Sequence, residues 1–348
     1  MQKDMSTSSS RVLRIALVSQ IRNLQEAVEE ALARSLGVQD ALRVRNYSQV
    51  KVEAISPSTE PSDGLDQEIA LADPKALAPF VSGNQCPNLK WCQSTFAGVD
   101  PLVNALKDQE PYFVCTKLGD VFGTIMAEYV IGHIIAWVRK FSQCYNAQQS
   151  KEWIQQDVNS YKRLSSLTVG VLGAGNIGQE VLHKCSLLGM NVIGMHSSEA
   201  SCDRALRNKK SYKPTASLDH VLEHCDVIVN LFPSTPETKY VLDAPRLAAA
   251  GNNIGLLINA GRGDIMKEEE IISCLDQGLI EHCVLDVFEK EPLPSKSPLW
   301  SHPSITITPH VAAVSLPQDT ARVFVENLQR WLSSAADLKY QIDWKKGY

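Results

Sequence analysis

The apolar positions of this chain fall into short strand-like runs separated by stretches of helical spacing. Residues 13–18 form an apolar run that predicts a buried strand. Residues 21–36 follow with helical spacing at Leu24, Val28, Ala31 and Leu32, and Gly37 is the expected C-cap. Strands are predicted at 50–55, ended by Pro57, and at 69–72, 89–93 and 112–115, with a Ser-, Pro- and Asp-rich loop at 56–64. Strands alternating with helices predict a parallel sheet with helices on both faces, so about the first 115 residues form a small α/β domain.

A long helical pattern covers residues 123–149, apolar at Met126, Tyr129, Val130, His133, Ile134, Trp137, Val138 and Phe141. A single helix of that length would measure about 40 Å. It is expected to connect two domains and to form part of a homodimer interface, the alternative being an internal core helix. Beyond it lie predicted strands at 167–172, 189–195, 227–232, 254–259, 284–287 and 305–308. Helical stretches at 221–222, 247–250 and 268–275 stand between them, the last capped by Gly278. This is the pattern of a second doubly wound sheet, in which ligands sit at the carboxyl ends of the strands.

The first strand of that half runs into Gly173-Ala174-Gly175-Asn176-Ile177-Gly178 and then a helix. In a G-x-G-x-x-G turn Gly173 permits the tight bend, Gly175 lets backbone approach a pyrophosphate, and Gly178 lets helix and strand pack closely. The helix N-terminus beyond, with its free N–H groups, favours anions. Strand, turn, helix and second strand together point to dinucleotide binding.

Composition narrows the classes. Net charge is −5, which argues against a nucleic-acid partner. No apolar run approaches the length of a membrane span, and residues 1–10 are polar, unlike a secretory leader. The nine cysteines are scattered with no C-x-x-C pair, which predicts neither zinc nor disulfides and fits a reducing, cytoplasmic setting. His220 and His224 stand four apart on a predicted helix, beside Cys225 and Asp226. That spacing could ligate a metal, but no further ligand cluster accompanies it, and the expectation is a solvent-facing pair and no metal.

Three strand ends carry chemistry. Asn259-Ala260-Gly261-Arg262-Gly263 follows one strand, residues 286–292 the next, and Thr308-Pro309-His310 the last. An arginine, a glutamate (Glu291) and a histidine at one sheet edge can converge on a nicotinamide. These motifs, with the glycine turn, the 231–238 stretch Leu-Phe-Pro-Ser-Thr-Pro-Glu-Thr, Asp-Val-Phe-x-x-Glu-Pro-Leu and Thr-Pro-His-x-Ala-Ala, resemble the D-isomer-specific 2-hydroxyacid dehydrogenases in order and spacing from about Phe96 to Ala313. The Pro-His-Val-Ala-Ala-Val form and residues 120–129 resemble the glyoxylate/hydroxypyruvate reductase branch in particular.

The resemblance implies two doubly wound parallel-sheet α/β domains. A Rossmann cofactor domain, 119–312, would be inserted in a flavodoxin-like substrate domain, 1–118 plus 313–348. It implies reduction of a small 2-oxo acid to the 2-hydroxy acid, with His310 as general acid, Glu291 raising its pKa, and Arg262 clamping the carboxylate and polarising the carbonyl. Asp286 would contact the nicotinamide carboxamide. Asn176, Ile177, Leu231, Phe232, Pro233, Asn259 and Ala260 would line the cofactor. Residues 94–100 resemble the loop whose N–H groups hold the substrate carboxylate, through Phe96, Ala97 and Gly98. Many relatives have glycine at the Phe96 position, so Phe96 either shapes the pocket or is a packing residue.

Cofactor choice turns on the end of the second strand of the dinucleotide unit. An acid about 20 residues past the glycines would bind the ribose 2′-OH of NAD. Here His196 stands 18 residues after Gly178, followed by Ser197 and Ser198. With no acid there, NADP(H) is favoured over NAD(H), although the arginine that NADP-preferring relatives often place at Ser197 is also missing. Arg204, Arg207, Lys209 and Lys210 lie downstream. Two rivals stay open: a non-catalytic NAD(H)-sensing protein of the corepressor type, and a methyltransferase-like domain, which leaves the motifs after Ile254 unexplained.

Overall fold

In the computed structural model, residues 11–56, 64–106, 109, 111–334 and 337–344 are described. Pro57, most of the 56–64 loop and the N-terminal residues 1–10 lie outside them. In chain order the elements begin with β1 (Arg11–Val18), α1 (Leu24–Arg34), α2 (Leu36–Val44), β2 (Tyr47–Ala54), β3 (Ile69–Ala72), α3 (Pro74–Ser82), β4 (Trp91–Ser94), α4 (Asp100–Leu106) and β5 (Val114–Thr116). Next come α5 (Phe122–Val138), α6 (Phe141–Ser150), α7 (Gln155–Val158), β6 (Thr168–Leu172), α8 (Asn176–Leu187), β7 (Asn191–Met195), α9 (Glu199–Arg207) and β8 (Lys213–Thr215). The rest are α10 (Leu218–His224), β9 (Val227–Asn230), α11 (Ala244–Ala250), β10 (Ile254–Asn259), α12 (Glu268–Asp276), β11 (Ile280–Leu285), β12 (Ile305–Ile307) and α13 (Pro317–Ser333).

Two compact units result, one from the described residues of Met1–Val121 and Ser315–Tyr348, the other from Phe122–Val314. The first holds a parallel sheet in the order β2-β1-β3-β4-β5, the flavodoxin-like winding. The last helix returns to this unit because its apolar stripe has a partner there. Trp91 of β4 stacks on Phe324 and Trp331 of α13, with centroids 5.4 and 5.7 Å apart. A buried polar link adds direction, since Asn327 donates to Gln93 at 2.9 Å and Thr116 donates to the same Gln93 oxygen at 2.8 Å.

The second unit holds a seven-stranded parallel sheet, β12-β11-β10-β9-β6-β7-β8, which is the Rossmann order with an added strand at one edge. The strand order reverses between β6 and β9, and the carboxyl ends there form the crevice where such sheets take ligands.

Several expected elements differ. The helix predicted over 21–36 with a Gly37 cap is two helices. Ser35 ends α1 and its hydroxyl accepts the Val38 N–H, starting α2, so Gly37 lies inside the second helix rather than capping the first. The helix predicted over 123–149 also divides. Lys140 takes φ 53° and turns the chain between α5 and α6. Helix α5 is a core helix of the second unit, in which Met126, Ala127, Val130, Ile134 and Val138 are buried, whereas Phe141 is exposed. Strand β4 starts two residues into the predicted run, since Leu89 N–H closes a turn onto the Cys86 carbonyl at 3.1 Å. Eight of the nine cysteines are buried as small apolar side chains.

Candidate active site

The glycine turn is built as its spacing predicts. Gly173 has φ 101°, a backbone that L side chains rarely adopt. A Cβ on Gly178 would stand 2.1 Å from the Gly173 carbonyl oxygen. A Cβ on Gly175 would project into open space, and no side chain caps the α8 N-terminus beside it. An uncapped helix start beside open space at Gly175 fits a pyrophosphate. Asn176 is exposed and Ile177 half-buried at that start. Across the switch point, Leu231, Phe232 and Pro233 follow β9 and are half-buried. Fully buried Asn230 holds this edge together: its amide nitrogen donates to Asn259 Oδ1 at 2.9 Å and its Oδ1 accepts the Phe232 N–H at 3.1 Å. Asn259 in turn donates to the Arg262 carbonyl at 3.0 Å, beyond half-buried Ala260.

Two of the three expected catalytic residues are in contact. His310 Nδ1 lies 2.7 Å from Glu291 Oε2, and the other Glu291 oxygen accepts the Phe288 N–H at 3.0 Å. Both carboxylate oxygens are thus committed, one to the backbone and one to the imidazole. The hydrogen bond to Glu291 raises the His310 pKa, helped by the charges of Glu291 and Asp286; burial and the Arg262 charge work against the rise. Burial pushes Glu291 up, but hydrogen bonds from His310 and Phe288, with the charges of His310 and Arg262, outweigh it and hold the carboxyl below its ordinary value. The Arg262 guanidinium thus acts electrostatically on both, while its Nη1 donates to the Gly261 carbonyl at 2.8 Å.

The turn carrying His310 is held from beneath. His310 has φ 54°, an uncommon backbone for a residue with a side chain. Asp286, only 1% exposed, accepts from the Thr308 hydroxyl at 2.5 Å and from the Val311 and Ala312 N–H groups at 2.9 Å each. Its expected contact with a carboxamide would use the lone pair these donors leave. Thr308 gives its proton to Asp286, so the Tyr129 hydroxyl of α5 donates to Thr308 Oγ1, at 2.7 Å.

At the end of β7, half-buried His196 places Nε2 2.9 Å from the Tyr212 hydroxyl. Ser197 is exposed, and Ser198 caps α9 by accepting the Ser201 N–H. Sequence reasoning missed Asn230, Thr308, Tyr129 and Tyr212 as supports of these residues. The signal for the first two was their position at strand ends; the other two act across the fold and left none.

In the first unit, the loop after β4 is braced rather than loose. The Ser94 hydroxyl accepts the Phe96 N–H at 3.0 Å, Thr95 donates to Asp73 at 2.5 Å, and Ser315 donates to the Thr95 carbonyl at 2.6 Å. Phe96 is 41% exposed, so it is not a core packing residue, and Ala97 and Gly98 are half-buried. His220, Glu223 and His224 are exposed, with potential ligand atoms within 4.8 Å of one another. Cys225, by contrast, is buried, and Asp226 pairs with Lys162.

Residues 131–312 match the family described as D-isomer specific 2-hydroxyacid dehydrogenase, NAD binding domain, and the chain belongs to the D-isomer-specific 2-hydroxyacid dehydrogenases. It is 31% identical over 277 residues to glyoxylate/hydroxypyruvate reductase A of Klebsiella pneumoniae (strain 342), across 78% of this chain and 85% of that protein. A D-isomer specific 2-hydroxyacid dehydrogenase family protein from Aeromonas salmonicida subsp. salmonicida A449 matches with TM-score 0.75 and 28% identity, over 97% of this chain and 100% of that one. The NADPH-dependent glyoxylate/hydroxypyruvate reductase of Sinorhizobium meliloti, solved with NADP and sulfate, matches with TM-score 0.76 and 26% identity, over 96% and 99%. The protein is accordingly an NAD(P)-dependent 2-hydroxyacid dehydrogenase that works as a 2-oxo acid reductase.

Proposed function

We propose that the chain reduces glyoxylate or hydroxypyruvate with NADPH, the second unit binding the dinucleotide and the first holding the substrate carboxylate through Phe96, Ala97 and Gly98. The observation that carries this reading is the 2.7 Å pair of His310 and Glu291. A nicotinamide, when bound, supplies the hydride to the carbonyl carbon. His310 delivers the proton to the carbonyl oxygen, and Glu291 keeps the imidazole charged for that purpose. Arg262 grips the substrate carboxylate with its planar fork and polarises the carbonyl, which a lysine cannot reproduce. Asp286 fixes the turn beneath His310. The absence of an acid at His196, Ser197 and Ser198 supports NADP(H) over NAD(H), as does the NADP bound in the Sinorhizobium meliloti relative.

The test is a spectrophotometric screen of 2-oxo acids with NADPH and NADH, repeated on His310→Gln. The variant should lose about 10²–10⁴-fold in rate while keeping its affinity for NADPH. Surviving turnover would overturn the acid assignment. The reading includes a homodimer, supported by exposed Phe141, Tyr145 and 89%-exposed Trp153 on and just after α6, and light scattering of the purified chain tests it.

A further inference from the structure

Tyr212 belongs to no motif of the family resemblance, yet the fold makes room for it. Gly194 lies in the middle of β7, where a Cβ would come within 2.7 Å of the Tyr212 ring and of Leu182. Only a residue without a side chain lets that ring lie against the strand. The ring is buried in the core of the second unit, stacked near His196 with centroids 5.9 Å apart and planes 24° apart. This burial aims its hydroxyl at His196 Nε2, 2.9 Å away.

His196 is itself pinned. Its N–H donates to the Thr215 carbonyl of β8 at 2.8 Å, and the carbonyl of the preceding Met195 accepts the Ala174 N–H of the glycine turn at 2.7 Å. The imidazole therefore stands where a Rossmann sheet presents a residue to the adenosine ribose. Among the described residues its Nδ1 has no hydrogen-bond partner. Burial lowers its pKa and favours the neutral ring.

We propose that Tyr212 is a positioning residue for cofactor choice: by donating its hydroxyl proton to His196 Nε2 it leaves the ring proton on Nδ1, making His196 a fixed donor for a ribose 2′-phosphate. A neutral imidazole with one nitrogen accepting must carry its proton on the other. A donor at this position welcomes phosphate oxygens, whereas a carboxylate there would repel them. The device substitutes for the missing arginine at Ser197. It rests on the reading of the end of β7 as the adenosine ribose site, but not on the identity of the 2-oxo acid.

The experiment measures calorimetric binding of 2′,5′-ADP and 5′-AMP to the whole chain, probes that carry no nicotinamide and need no turnover. Wild type should prefer 2′,5′-ADP. Tyr212→Phe keeps the packed ring and should weaken 2′,5′-ADP about tenfold while leaving 5′-AMP nearly unchanged. His196→Ala should lose the same preference, and the double variant should lose no more than either single one, because both act through one contact. A wild-type preference for 5′-AMP overturns both the NADP(H) reading and this inference. Equal loss of both probes in Tyr212→Phe, unchanged binding, or additive losses in the double variant overturns the positioning role alone. Preserved discrimination in a chain that reduces no 2-oxo acid leaves this inference standing and removes the substrate reading.

Discussion

Replacing Glu291 by glutamine isolates the charge that faces His310. The amide keeps the size of the side chain and one oxygen for the Phe288 N–H, 3.0 Å away, and removes the negative charge 2.7 Å from Nδ1. With His310 58% and Glu291 35% exposed, water screens the pair. Coulomb's law with a water-like dielectric then gives about 1.5 kcal/mol at this separation, which is a factor of about ten in the ratio of charged to neutral imidazole. The sign follows from the chemistry. His310 titrates above its ordinary value, foremost through its hydrogen bond to Glu291. Reduction consumes the imidazolium proton, so kcat/KM for the 2-oxo acid falls as pH rises through that raised pKa. In Glu291→Gln, burial and the Arg262 charge remain and push His310 down, opposed only by the Asp286 charge. The alkaline limb of reduction should move to lower pH, with about a tenfold lower rate above it. Oxidation of the 2-hydroxy acid, which starts from neutral imidazole, should show its acid limb displaced the same way. Initial rates followed by NADPH absorbance across the pH range in both directions check this. Superimposable profiles for wild type and variant would refute the coupling.

Asp286→Asn should cost about 1–3 kcal/mol of stability, because an amide cannot accept from Thr308, Val311 and Ala312 together. Calorimetry should show a lower Tm, with kcat reduced since His310 rides on that turn; an unchanged Tm counts against the support role. Gly178→Ala places a Cβ 2.1 Å from the Gly173 oxygen, so the turn must open. Fluorescence titration should show loss of NADPH binding, and full retention would place the dinucleotide elsewhere.

Hydrophobic spacing and strand-end motifs determined most of what this protein is. Alternating apolar runs require helices on both faces of parallel sheets, and the glycine spacing requires a turn into a helix start, because both rest on local backbone geometry. The meeting of Glu291 with His310 was legible for a related reason: both lie a few residues beyond predicted strands, and parallel strands deliver their carboxyl ends to one edge. Edge strand β8, Lys-Pro-Thr, carries no apolar signal and was invisible. The breaks at Ser35 and Lys140 were hidden because a serine cap and a left-handed backbone leave the apolar period almost intact.

Only the tertiary structure decided what supports the site. The three donors on Asp286, the Tyr129–Thr308 link across 179 residues, and the seating of Tyr212 against Gly194 join positions with no periodic relation in the chain. Such contacts depend on which faces of distant elements meet when the sheet closes, and a one-dimensional pattern holds no record of that.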